Sequence, residues 1–170
     1  MLQVIELLCR SVLVVVLLTA AASKLRSRRA FSDFAASLAV LVPRRSRLTA
    51  AALTSGEVLA AVGLVVAPLA GYAGTVALFA ALSAGVALVL RRRLQVRCRC
   101  FGAGTAVLSK GHLVRNLLLT AIAMAGLGAQ FVAAPDGLDA VAITLIAGGA
   151  VIGFCLTRWD DLSALLGLGQ

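Results

Sequence analysis

Residues 4–23 read VIELLCRSVLVVVLLTAAAS, and the basic segment KLRSRR follows directly at residues 24–29. An apolar stretch of about 20 residues is long enough to cross the hydrocarbon core of a bilayer as a helix. Glu6 and Arg10 stand four residues apart with the acid first, so they can pair on one helix face near the interface. A cleavable signal peptide would carry its basic residues before the apolar run. The stretch therefore predicts an uncleaved transmembrane helix with its N-terminus outside.

The rest of the chain continues this pattern. Hydrophobic residues make up 61% and charged residues 14% of the 170 positions, whereas soluble domains carry roughly 25% charged residues. Four more apolar runs follow at about 48–70, 72–90, 113–133 and 138–156, and a short turn with Pro68 and Gly71 separates the second run from the third. The sequence predicts an all-α integral membrane protein, a bundle of about five transmembrane helices.

A short amphipathic segment lies between the basic clusters of residues 24–47. Its apolar residues recur at helical spacing, and they are Phe31, Phe34, Ala35, Leu38 and Leu41. Such a pattern is typical of a helix that lies on the membrane surface. We expect this interfacial helix to end at Pro43, because proline cannot continue a helix.

The net charge of +9 is unevenly distributed. Of the sixteen Lys and Arg residues, thirteen fall in segments 24–47 and 91–112, while the other two inter-helical loops hold none. Basic loops stay on the cytoplasmic side of a membrane. The pattern predicts a multi-pass protein of the cell membrane with both basic loops and the C-terminus in the cytoplasm. It favours lipid headgroups over nucleic acid as the partner of these charges.

The most conspicuous chemical motif is Arg97-Cys98-Arg99-Cys100-Phe101-Gly102, in the second basic loop. Two thiols one residue apart can form a strained, labile disulfide, and flanking cations favour the reactive thiolate. Coincidence and an incomplete metal site remain the alternatives. His112 is the only nearby extra ligand, so zinc is not predicted, whereas Cu(I) stays open. Cys9 and Cys155 stand alone, and we expect them on opposite sides of the membrane. Cys155 is expected to pack inside the bundle; the alternative is a third thiol on the same side as the C-x-C.

Glu57 lies near the middle of the second apolar run, where an ionisable residue indicates a functional site. Arg115 and Asn116 open the fourth run from the same side. Two interpretations stay open: Glu57 pairs with Arg115 or bonds to a neighbouring helix, or it handles protons. His112 is expected at the interface, just before that helix. Gly149 and Gly153 form a G-x-x-x-G, which we interpret as packing within one bundle.

The order of these features resembles the methylamine-utilisation protein family MauE, within the MauE/DoxX group of redox-associated membrane proteins. The resemblance is carried by Lys24-Leu25-Arg26, the surface helix, Glu57, the Cys98–Gly102 motif and Arg115-Asn116-Leu117. It covers roughly residues 1–133, which would form a four-helix membrane domain. Residues 134–170 would add one transmembrane helix and a short polar tail.

The resemblance implies a role in thiol–disulfide chemistry. Family members are associated with maturation of the disulfide-rich small subunit of methylamine dehydrogenase, beside a thioredoxin-like partner. Cys98 and Cys100 would be the catalytic residues of an oxidoreductase component that needs no bound cofactor, although a quinone stays open. The supporting residues would be Arg97, Arg99, Phe101, Gly102, Glu57, Arg115 and Asn116.

One expectation conflicts with the charge pattern. The maturation substrate lies outside the cytoplasm, whereas the basic loops place the C-x-C inside. Electrons would then cross the bundle or come from cytoplasmic thioredoxin, or the topology is inverted. A non-catalytic scaffold of a redox complex and, with less support, a small transporter built around Glu57 are the alternative functions.

Overall fold

The computed structural model describes residues 2–94, 110–131 and 140–158, and these residues form six helices. They are α1 (Leu2–Leu25), α2 (Arg28–Leu38), α3 (Ser46–Val66), α4 (Pro68–Arg91), α5 (Lys110–Gln130) and α6 (Ala140–Thr157). The helices α1, α3, α4 and α5 are long and apolar enough to cross a membrane, and α6 is a shorter apolar helix. The prediction of an all-helical membrane bundle is confirmed.

Polar contacts between helix ends fix the direction in which each helix runs. The Tyr72 hydroxyl, near the start of α4, donates to the backbone carbonyl of Glu6, near the start of α1. The side chain of Gln130, the last residue of α5, accepts from Arg10 of α1. Thus α1 and α4 run in one direction and α5 in the other. We name the two ends of the bundle the Glu6 end and the Lys24 end, after the residues of α1 found there.

The G-x-x-x-G of α6 packs against α1. A Cβ on Gly149 would overlap the side chain of Ser11, and a Cβ on Gly153 would lie 2.8 Å from the carbonyl oxygen of Val12. The later glycine of α6, Gly153, contacts a later part of α1 than Gly149 does, so these two helices run parallel. The interpretation of this motif as packing within one bundle is confirmed.

The amphipathic helix after α1 is also confirmed, although its predicted end is wrong. Phe34 and Ala35 of α2 are buried against Ala50 of α3, so the apolar face of α2 lies on the bundle. The helix ends at Leu38, five residues before Pro43. The chain needs this intervening stretch of turns to reverse from α2 into α3.

The junction between α3 and α4 is tighter than the predicted turn. Ala67 alone separates the two helices, and Pro68 is the first residue of α4, where its missing N–H costs no hydrogen bond. Gly71 lies inside α4 instead of in the turn. A Cβ at this position would overlap the backbone of Gly63 and Leu64 in α3. The absence of a side chain at Gly71 therefore sets how closely the two helices approach.

The core of the bundle lies between α1, α3, α4 and α5. Its fully buried members include Leu13, Leu17, Leu64, Tyr72 and Leu119. Helix α5 begins at Lys110, three residues before the predicted start, so that His112 belongs to its first turn. This early start brings the side chains of α5 to the polar site described next.

Candidate functional site

A buried ion pair joins α1 to α3 at the Lys24 end. The Nζ of Lys24 lies 2.5 Å from Oε1 and 2.8 Å from Oε2 of Glu57, and it also donates to the carbonyl of Ala20 at 3.3 Å. The ring of Phe34 covers the ammonium at 4.8 Å from its centroid. Both side chains are almost fully buried, so the attraction between them is stronger than at a surface.

Local helix geometry explains why Lys24 points inward. Side chains on an α-helix tilt toward its N-terminus. Lys24 lies in the last turn of α1, so its side chain points back into the bundle. Glu57 lies eleven residues after Ser46, where α3 begins, and it is buried against neighbouring helices. Residue position and side-chain length together bring the ammonium and the carboxylate to the same depth.

Three further polar side chains come from the first two turns of α5. His112, Arg115 and Asn116 line the same small cavity as Lys24 and Glu57. The exposed fractions of these five residues are low, at 2% for Lys24 and Arg115, 3% for His112, 4% for Glu57 and 5% for Asn116. Apolar side chains complete the cavity wall; they are Leu17, Ala20, Phe34, Phe79, Leu82 and Val86. A polar cluster this deeply buried in an apolar bundle is a candidate functional site.

The sequence identified part of this cluster. It places Glu57, Arg115 and Asn116 together, and the structure confirms that they share one cavity. For Glu57 it leaves open a pair with Arg115, a bond to a neighbouring helix or a proton-handling role, and the structure shows a bidentate ion pair with Lys24 of the neighbouring helix α1. It placed His112 outside the helix, whereas His112 is buried within α5. In the sequence, Lys24 serves as a topology signal and as part of the family resemblance, but not as a site residue. Its position directly after an apolar run could have identified it, because a carboxylate buried in a membrane favours a cation as its partner.

A second polar network closes the Glu6 end. Arg10 Nη2 lies 2.6 Å from Glu6 Oε1, which confirms the predicted pair, and the same nitrogen donates to Gln130 at 3.2 Å. The buried Tyr72 hydroxyl donates to the Glu6 carbonyl at 3.1 Å. These bonds tie α1, α4 and α5 together. The side chain of Arg10 is partly exposed at the protein surface, so we interpret this network as structural.

The predicted redox motif, Arg97 through Gly102, lies outside the described residues, and so do its two thiols. The two other cysteines are free: Cys9 is half-buried on α1 and Cys155 is exposed on α6. The expectation that Cys155 packs inside the bundle is wrong, because its side of α6 faces away from α1. Among the described residues, no group of three or more His, Cys, Asp or Glu side chains is arranged to hold a metal ion.

The fold and site define a multi-pass helical membrane protein with a buried ionic cluster at one end. The family model for methylamine utilisation protein MauE matches residues 2–129. The chain is also 38% identical over 147 residues to the methylamine utilization protein MauE of Paracoccus denitrificans, and the match covers 84% of this chain and 79% of that relative. No solved structure matches. This chain belongs to the MauE family.

Proposed function

We propose that this chain is a membrane component of thiol–disulfide exchange in protein maturation, serving methylamine utilisation, with Cys98 and Cys100 as the reacting thiols. Membership of the MauE family supports the methylamine context, because the curated relative carries that role in its name. The proposed partner is a thioredoxin-like protein, since exchange needs a second pair of cysteines.

One structural observation supports the choice of motif. Helix α4 ends at Arg91 and α5 begins at Lys110, and both positions lie at the Lys24 end of the bundle. The connection that carries the C-x-C is therefore attached beside the buried ionic cluster. Exposed cations surround these attachment points, and positive charge favours the thiolate form of a nearby cysteine.

The exchange itself is balanced in two steps. A thiolate of the Cys98–Cys100 pair attacks one sulfur of the partner's disulfide, which forms a mixed disulfide and releases one partner thiolate. The second cysteine then attacks the mixed disulfide, so that the Cys98–Cys100 disulfide forms and two electrons pass to the partner. The partner's two thiolates take up the two protons that the pair has lost. The same steps run in reverse when the partner is the reductant.

Thiol trapping tests this proposal. In a Cys9→Ser/Cys155→Ser background, only Cys98 and Cys100 can react with a polyethylene-glycol maleimide, and each reaction adds a resolvable mass. We expect a fraction of the protein to gain two labels only after reduction. We also expect Cys98→Ser/Cys100→Ser to abolish maturation of the redox substrate, whereas Cys9→Ser/Cys155→Ser leaves it intact. Thiols that stay reduced under oxidising and reducing growth would contradict the proposal.

A non-catalytic assembly role is the second candidate. It is favoured by the close glycine contacts of the bundle, at Gly71 against α3 and at Gly126 against Tyr72, which show that the helices pack closely. Full maturation activity in Cys98→Ser/Cys100→Ser would establish this role in place of thiol exchange.

A further inference from the structure

Six arginines flank the amphipathic helix α2. Three lie where the chain leaves α1 and enters α2, and three lie where it enters α3; we name them the Arg26 group (Arg26, Arg28 and Arg29) and the Arg44 group (Arg44, Arg45 and Arg47). All six side chains are exposed, and within the part of the chain that the structure describes none of them has an ion-pair partner. Asp33 is the one acidic residue of segment 26–47. The segment therefore carries an excess of positive charge, whatever Asp33 contacts.

The depth of this segment in the membrane follows from the helices on either side. Both α1 and α3 are long and apolar enough to cross a membrane, and a span of about 20 residues fills the hydrocarbon core. Segment 26–47 joins the end of α1 to the start of α3, so it begins and ends at the depth of the lipid headgroups. Its middle stays at this depth, because Phe34 and Ala35 of α2 are buried against Ala50 in the first turns of α3. The six guanidinium groups therefore lie at the depth of lipid phosphates.

The type of cation in this segment points to phosphate as the partner. Lysine and arginine serve equally as topology signals, yet every cation of segment 26–47 is an arginine. A guanidinium group donates two parallel hydrogen bonds to the oxygens of one phosphate, whereas the ammonium of lysine acts as a point charge. Clusters of basic residues directly cytoplasmic of a transmembrane helix are typical of sites for anionic lipids. Charge, depth and donor geometry thus match the same class of ligand.

We propose that segment 26–47 is a binding site for the headgroups of anionic phospholipids, with α2 lying between the two groups of arginines. The eleven residues of α2, at about 1.5 Å each, separate the groups by roughly 16 Å, which is too far for one phosphate to contact both. The site therefore takes two headgroups, one at each end of α2. Bound headgroups hold α2 on α3 and thereby keep Phe34 over the Lys24 ammonium. This site does not depend on thiol exchange at Cys98 and Cys100.

Hydrogen–deuterium exchange of the full-length protein in lipid nanodiscs tests the site. The amides of α2 are followed by mass spectrometry in discs of phosphatidylcholine alone and in discs that also contain phosphatidylglycerol with the same acyl chains. We expect phosphatidylglycerol to slow exchange in α2 severalfold, and high salt to remove the effect because it screens exposed charges. Equal exchange in the two kinds of disc would overturn the proposal. Equal protection by inorganic phosphate or a short DNA oligonucleotide, added to phosphatidylcholine discs, would overturn it as well, since the partner would then not be a lipid.

Variants that remove charge locate the two headgroups. Arg44→Gln/Arg45→Gln/Arg47→Gln should abolish the phosphatidylglycerol effect in the C-terminal half of α2, and the same change throughout the Arg26 group should abolish it in the N-terminal half. Arg91→Gln/Arg92→Gln/Arg93→Gln is the matched control, because it removes three exposed cations at the same end of the bundle but outside the segment. Each variant is compared with itself in the two kinds of disc, which separates lipid binding from a change in stability. Equal loss of protection in all three variants would show a response to net charge alone and would refute the proposed site.

Discussion

At the scale of single residues, the ion pair between Lys24 and Glu57 is the central feature of the molecule. Both groups are taken out of water, and each depends on the other for compensation. A buried pair of this kind adds little net stability compared with apolar residues, but breaking it leaves an uncompensated charge. Its presence inside an apolar bundle therefore makes it a candidate for a functional role.

Substitution of Glu57 and substitution of Lys24 should lower the stability of the protein by different amounts. Glu57→Gln leaves the buried Lys24 without its carboxylate, and we expect it to lower the free energy of unfolding by about 3–5 kcal/mol. Lys24→Met should cost less, because Arg115 lines the same cavity and remains opposite Glu57. Chemical unfolding in mixed micelles measures both. Arg26→Met is the control for loss of an exposed cation, and equal losses in the two core variants would contradict this order.

The sequence could place Glu57 in the membrane but could not identify its partner. Hydropathy locates an isolated carboxylate within an apolar run without ambiguity. The partner depends on which helices become neighbours and on where a long side chain points, and neither follows from one sequence. Lys24 lies at a helix end, where a cation is equally typical of the interface. For the same reason, His112 was predicted outside the helix that contains it.

At the scale of the helices, the approach of α3 and α4 depends on one position. A Cβ at Gly71 would overlap the backbone of Gly63 and Leu64, which cannot move aside as a side chain can. We expect Gly71→Ala to force the helices apart and to destabilise the protein by about 1–3 kcal/mol. Gly74, one turn further along α4, has no neighbouring atoms within 4 Å of a Cβ. Gly74→Ala should be neutral or slightly stabilising in the same unfolding assay, because alanine favours helix more than glycine does. Destabilisation of equal size by both variants would show that the loss in Gly71→Ala does not come from its contact with α3.

The packing of α6 on α1 provides a second pair of glycine substitutions, one at a contact and one at an open position. Gly153 meets the backbone of Val12, whereas a Cβ on Gly148 would meet nothing within 4 Å. We expect Gly153→Ala to lower the melting temperature and Gly148→Ala to leave it unchanged. Light scattering of the purified protein should give the same oligomeric mass for both. A changed mass with an unchanged melting temperature would mean that the motif serves contacts between molecules.

Sequence patterns predict that a helix exists more reliably than they predict its first and last residues. Each apolar run corresponds to a helix, because burying backbone polar groups in lipid leaves few other structures. The observed helix boundaries differ from the predicted ones where tertiary packing determines them. Pro68, for example, starts α4 instead of belonging to a turn. Gly71 likewise reads as a turn residue in the sequence, but it serves a helix contact. Both residues are ambiguous until the neighbouring helix is known.

At the scale of the whole molecule, the two ends of the bundle differ in charge. Among the described residues, exposed cations concentrate toward the Lys24 end, and they are Arg26, Arg28, Arg29, Arg44, Arg45, Arg47, Arg91, Arg92, Arg93, Lys110 and Arg158. The described part of the Glu6 end has only Arg10, which is already paired with Glu6. The parallel arrangement of α1 and α6 means that the start of α1 and the end of α6 lie at opposite ends of the bundle. The positive-inside rule then predicts that the Lys24 end faces the cytoplasm.

Single cysteines introduced at the two ends would test this orientation. In a cysteine-free background, Ala67→Cys places a thiol in the exposed α3–α4 junction at the Glu6 end, and Arg45→Cys places one in the exposed α2–α3 connection at the Lys24 end. We expect a membrane-impermeant maleimide to label Ala67→Cys in intact cells and Arg45→Cys only after permeabilisation, because seven basic residues between 24 and 47 resist translocation. The reverse labelling pattern would show that the bundle has the opposite orientation in the membrane, with the connection that carries Cys98 and Cys100 outside the cytoplasm. Exchange with an extracytoplasmic disulfide protein would then need no path for electrons across the membrane, whereas the expected pattern requires either such a path or a cytoplasmic partner.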